Sequence, residues 1–180
     1  YLRALWLTNS FVLFCLAFQV RELLGPTGVL SAEKLLNKVQ GIVPGDSVYE
    51  QFLLYPTIFL FIGATDNILL FTCVAGSLLS FLATIIGGTF GKISSTISAF
   101  ILLSVIVIGG DFCQFPWDFL LLEAHFIALF LPVVKPIKNG IGAEREPSEI
   151  PLFATHFLLF RFMWAMGIEK LPFINGEEEW

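Results

Sequence analysis

Residues 67–86 run for twenty positions without an Asp, Glu, Lys, Arg or His, and residues 93–108 repeat the pattern a few positions later. Twenty residues of helix reach about 30 Å, the thickness of a bilayer's hydrocarbon core. Only helices and closed barrels satisfy their backbone polar groups in lipid. A barrel strand would alternate polar and apolar side chains, and neither run does. Helical spans are therefore expected. Charged residues are 14% of the chain and hydrophobic ones 56%. A soluble domain is nearer a quarter charged, so these 180 residues lack the polar side chains to cover a water-facing surface.

The pattern predicts an all-α polytopic membrane protein, one helical domain over 1–180. About five transmembrane helices are expected, at about 5–20, 67–86, 93–108, 117–134 and 151–168. Residues 31–39 read as an amphipathic surface helix, with Ser31 placed to cap it and Glu33 in its first turn. Residues 51–63 are apolar but short and interrupted by Pro56, which suits a re-entrant or interfacial helix. An odd number of crossings puts the termini on opposite sides. Arg3, Lys92, Lys135, Lys138 and Arg145 then share the N-terminal side, against Arg21, Lys34, Lys38 and Lys170 on the other. The two sets are nearly equal, so the positive-inside rule leans only slightly towards a cytosolic N-terminal side. The first residue is Tyr1, so a processed product or a portion of a longer chain is expected.

Several function classes are excluded. The net charge of -5 comes largely from loops and from Glu177, Glu178 and Glu179, and no basic patch suggests nucleic acid. Cys15, Cys73 and Cys113 show no metal or redox spacing. Cys15 and Cys73 sit in apolar runs and are expected to be buried, whereas Cys113, near a membrane edge, could pair with another protein. No nucleophile–base pattern appears, and Gly25-Pro26-Thr27-Gly28 is a turn with no preceding strand, not a phosphate loop. No catalytic residue, no metal site and no enzyme activity are expected.

The informative residues are the ionisable ones inside the apolar segments. Pro116 suits a helix start, and Asp118 in the first turn gains from the helix dipole. Asp118 and His125, seven positions apart, share a helix face that Glu123 does not. The last span carries His156 and Arg161. A charge in the hydrocarbon costs a few kcal/mol unless paired. Glu123 and Arg161, at similar depth, are the expected structural ion pair. His125 and His156 either bond across helix interfaces or ligate a haem or chlorophyll.

Three segments together resemble the lipase maturation factor family. These are residues 11–30 (FVLFCLAFQVRELLGPTGVL), 112–131 (FCQFPWDFLLLEAHFIALFL) and 160–171 (FRFMWAMGIEKL), with 55–66 (YPTIFLFIGATD) fitting between them. Order and spacing agree along nearly the whole chain. The matching positions are Trp117, Asp118, Glu123, Arg161, Gly167 and Lys170, with Pro116 where the family would be expected to carry a polar residue. The resemblance implies an endoplasmic-reticulum membrane protein that helps secreted lipases fold, distantly akin to the membrane region of vitamin K-dependent carboxylase. It also implies that the family's large lumenal, client-binding domain lies beyond position 180.

The leading expectation is thus a non-enzymatic membrane folding factor, or its core, with lipids and a client lipase as partners and no cofactor. The alternative is an accessory subunit of a respiratory or photosynthetic complex in the mitochondrial inner or thylakoid membrane. There Phe-rich faces would pack on neighbouring subunits, and His125 or His156 could hold chlorophyll or haem. A carboxylase-like enzyme is a third reading.

Overall fold

The longest uncharged runs become the longest helices. The computed structural model describes residues 1–42, 48–113, 115–136, 142–168 and 170. In chain order its helices are α1 (Leu2–Leu24), α2 (Ala32–Ile42), α3 (Val48–Leu54), α4 (Phe59–Ile62), α5 (Asp66–Ile86), α6 (Gly88–Gly109), α7 (Pro116–Ala128) and α8 (Glu149–Ile168). A single 3-10 turn, Gly110–Phe112, leads from α6 towards α7. Gln114, Lys138, Pro44, Gly45 and the Glu177, Glu178 and Glu179 cluster lie outside the described residues.

The protein is an all-helical, polytopic membrane protein. Among the described residues four helices, α1, α5, α6 and α8, are long and apolar enough to cross a bilayer. The segment expected at 117–134 is shorter than that: α7 has 13 residues, or about 20 Å of helix. Pro132 supplies the reason. It has no N–H and disfavours a helical Leu131, so the chain unwinds a turn earlier. The amides of Leu129 and Phe130 accordingly bond to carbonyls three residues back, at 3.2 and 3.0 Å. Residues 51–63 also differ from a single helix. Tyr55, Pro56 and Thr57 separate α3 from α4, and Thr57 Oγ1 donates to the Ser104 carbonyl of α6 at 3.2 Å. The surface helix expected at 31–39 runs on to Ile42, with Ser31 Oγ accepting from the Lys34 amide at 3.5 Å.

Two side chains fix the antiparallel pairing of α1 with α5. Arg21 near the end of α1 donates to Asn67 Oδ1 at the start of α5, at 3.2 Å. Arg3 at the start of α1 donates to the Thr84 carbonyl in the last turn of α5. Gly87 alone joins α5 to α6, at φ 66° and ψ −150°. A side chain is strained there, and a Cβ would stand 2.9 Å from the Lys135 carbonyl oxygen. α1, α5 and α6 form the central bundle. α7 leans on α6 and α1, and α8 packs chiefly on α7.

The burial pattern is that of a protein solvated by lipid. Phe11, Phe14, Phe18, Phe71, Phe126 and Phe153 are exposed, while Asn9, Ser77, Ser80, Ser94 and Ser98 are buried. In water this distribution would be an extended apolar patch. In lipid, large side chains face outward and small or polar residues let helices approach closely. Gly76 is one such point: a Cβ there would lie 2.9 Å from Leu13 Cδ1 and 3.0 Å from Ile101 Cγ2. Cys73 is buried as expected, but Cys15 is exposed, because it falls on the outward side of α1 beside Phe11 and Phe18.

Candidate functional site

The polar residues of the apolar segments fall into three groups, and the first joins α7 to α8. Phe115 precedes α7 in extended conformation, and its amide donates to Asp118 Oδ2 at 3.2 Å. Asp118 thereby satisfies one of the free donors of a helix start. Trp117 stacks on Phe115 with ring centroids 4.7 Å apart and planes 10° from parallel. One and a half turns further on, Glu123 accepts a hydrogen bond from Arg161 Nη2 of α8. The structure thus brings these two charges together. Their side chains are 39% and 55% exposed, so the pair lies on the outer flank of the α7–α8 hairpin.

α8 has little else to hold it. Of its described side chains only Pro151 and Leu158 are buried. Its outer face carries a ladder of rings at Phe153, Phe157, Phe160 and Trp164, with successive centroids 6.2, 6.3 and 5.9 Å apart. Near its end, a Cβ on Gly167 would meet nothing within 4 Å, and the Lys170 amide bonds back to the Gly167 carbonyl at 3.2 Å. Gly167 and Lys170 do not approach the Glu123–Arg161 pair through any hydrogen bond.

The histidines stand apart from each other. His125 faces inward and is 4% exposed, with Nδ1 2.8 Å from the Leu121 carbonyl oxygen. A carbonyl only accepts, so Nδ1 carries a proton, and in the neutral imidazole Nε2 keeps a lone pair. That Nε2 is buried and without a partner among the described residues. Among the described residues His125 is in the wall of none of four cavities, whereas exposed His156 lines one of about 670 Å³. Among the described residues no three His, Cys, Asp or Glu side chains cluster to hold a metal.

Two further groups were not singled out from the sequence. In the central bundle, Asn9 Nδ2 donates to Ser98 Oγ at 2.8 Å and to Ser80 Oγ at 3.3 Å. Those hydroxyls in turn donate to the carbonyls of Gly76 and Trp6. At the N-terminal end of the bundle, Arg3 also donates to the Lys135 carbonyl, and Lys92 Nζ to the Leu131 carbonyl at 2.8 Å. These bonds hold the segment after α7 against the helix ends, where Val134 pairs with Ala143. The available signals were an Asn inside an apolar run and a Lys one turn inside α6. Each needs a partner in lipid.

Residues 1–180 match the family model described as the lipase maturation factor transmembrane domain. Lipase maturation factor 2 of Gallus gallus is 29% identical over 161 residues, covering 87% of this chain and 22% of that protein. The Rattus norvegicus protein of the same name is 30% identical over 166 residues, covering 85% and 22%. Lipase maturation factor 1 of Mus musculus is 26% identical over 174 residues, covering 94% and 29%. The chain therefore spans between 22% and 29% of the length of these curated relatives. No solved structure matches the chain.

Proposed function

Because the chain belongs to the lipase maturation factor family through its transmembrane domain, we propose that it is the membrane core of an endoplasmic-reticulum factor that helps client lipases fold. The observation that carries this reading is the match along all 180 residues to a transmembrane-domain model, in the order α1 to α8. The described structure is in keeping with an anchoring role. Its central polar groups are used between helices, where Asn9, Ser80 and Ser98 bind α1, α5 and α6 to one another. Such bonds rigidify a bundle. The α7–α8 hairpin, attached at its flank, turns its aromatic ladder outward. On this reading the bundle is a platform that fixes the membrane orientation of the client-handling part, and no chemical step is assigned to it.

Co-purification in mild detergent tests the reading. A secreted lipase, co-expressed with a full-length protein carrying these residues, is expected to elute with it. A stoichiometric multi-subunit complex with visible absorbance would favour the accessory-subunit reading instead, with His125 or His156 as pigment or haem ligands. A lone chain that turns over a small substrate would favour an enzyme.

A further inference from the structure

A cavity of about 670 Å³ among the described residues opens between the first turn of α1, the segment after α7 and the first two turns of α8. Its volume lies in the range of small-molecule sites. Most of its wall is hydrocarbon, from side chains such as Leu2, Leu131, Val134 and Leu152. Three ionisable side chains, Tyr1, Arg3 and His156, share that wall, and Arg3 is the one that is a cation at every physiological pH. From α8 the wall takes Leu152, Thr155 and His156, about 6 Å of that helix's length.

Arg3 sets the chemistry. Both of its Nη atoms donate to neutral carbonyls, those of Thr84 and Lys135. Its Nε is buried with no hydrogen-bond partner, and among the described residues no carboxylate lies within ion-pair distance of it. A part-buried guanidinium beside apolar walls, with its charge uncompensated, is costly unless an anion joins it. An apolar cavity with such a cation in its wall matches a molecule that is largely hydrocarbon and carries one anionic group.

We propose that this cavity binds a single-chain anionic amphiphile, its headgroup at Arg3 and its acyl chain along Leu2, Leu131, Val134 and Leu152. The shared chemistry is one acyl chain with a carboxylate or phosphate head. The site is separate from the Glu123–Arg161 pair and goes beyond the folding-factor reading.

The test is native mass spectrometry of the protein released from phosphatidylcholine nanodiscs, titrated with oleate, oleoyl lysophosphatidate or neutral oleyl alcohol. One saturable site is expected for at least one of the anions, with oleyl alcohol weaker on the order of tenfold. Binding of oleate alone identifies a fatty carboxylate ligand, binding of lysophosphatidate alone a phospholipid headgroup, and binding of both a site that reads charge only. Ala4→Trp adds bulk at an exposed position in the cavity wall and is expected to lower binding on the order of tenfold while circular dichroism stays unchanged. Arg3→Gln is expected to abolish the preference for the anions over the alcohol. No saturable binding, equal binding of oleyl alcohol in the unaltered protein, or unchanged binding in a folded Ala4→Trp variant would each overturn the proposal.

Discussion

Asn9 on α1 and Ser98 on α6 meet at 2.8 Å, with the amide as donor, because the Ser98 hydroxyl spends its proton on the Gly76 carbonyl of α5. Three helices thus converge on one side chain. Replacing Ser98 by Ala removes the acceptor and strands a buried amide donor, at a cost of about 1–3 kcal/mol. Asn9→Leu removes the donor itself and is expected to cost about 0.5–2 kcal/mol. The double variant should fall short of the sum of the two by about 0.5–2 kcal/mol, read by detergent-titrated unfolding. Strict additivity would mean the contact carries no energy.

Glu123 and Arg161 should behave as a unit. Glu123→Gln or Arg161→Gln leaves a charge without its partner on a lipid-facing flank, at about 2–4 kcal/mol. The exchange of the two, Glu123→Arg with Arg161→Glu, should recover most of the loss of either single charge reversal. Thermal unfolding in detergent measures this, and a swap no better than either single reversal would disprove the pairing.

The glycines separate packing from family resemblance. Gly76→Val must displace Leu13 and Ile101 and is expected to destabilise by about 1–3 kcal/mol. Gly167→Ala meets no neighbour within 4 Å, so it should leave stability unchanged or raise it by up to about 1 kcal/mol.

The cysteines give a labelling pattern. Burial pushes the Cys113 thiol up to about 11, with Asp118 a smaller contributor. A raised thiol pKa means the thiolate is scarce at neutral pH and rises with pH until it passes that value. Modification of folded protein by a water-soluble maleimide should therefore be slow at Cys113 at pH 7, accelerate about tenfold per pH unit, and lose that lag on unfolding. Rapid labelling at pH 7 would show that Cys113 is not buried.

Lys92 and Arg3 clamp the segment that leaves α7. Lys92→Met should free the Leu131 carbonyl and speed tryptic cutting after Arg145, with the α1–α5 pairing intact. Unaltered cleavage would show that the clamp is dispensable.

The helices were legible because lipid imposes a simple rule on length and polarity. Residues 67–86 and 93–108 obey it and correspond to α5 and α6 within a few residues. The end of α7 was not legible, since the apolar run continues to Val134 while Pro132 stops the helix a turn before itself. The Glu123–Arg161 contact could be reasoned from the cost of unpaired charge. The Asn9–Ser80–Ser98 network could not, because serine is cheap in a membrane helix and only the packing tells which serines face inward. Cys15 failed for the same reason: an apolar run does not say which side meets lipid.

The most direct test of the folding-platform account is a chimera. Residues 1–180 would replace the matching segment of Mus musculus lipase maturation factor 1 in cells lacking that protein, and secreted lipase activity would be measured. The account predicts that secretion is restored, that a single Glu123→Arg change lowers it, and that adding Arg161→Glu brings it back. A chimera that is folded and correctly located yet leaves lipase secretion at the level of the deficient cells would contradict it.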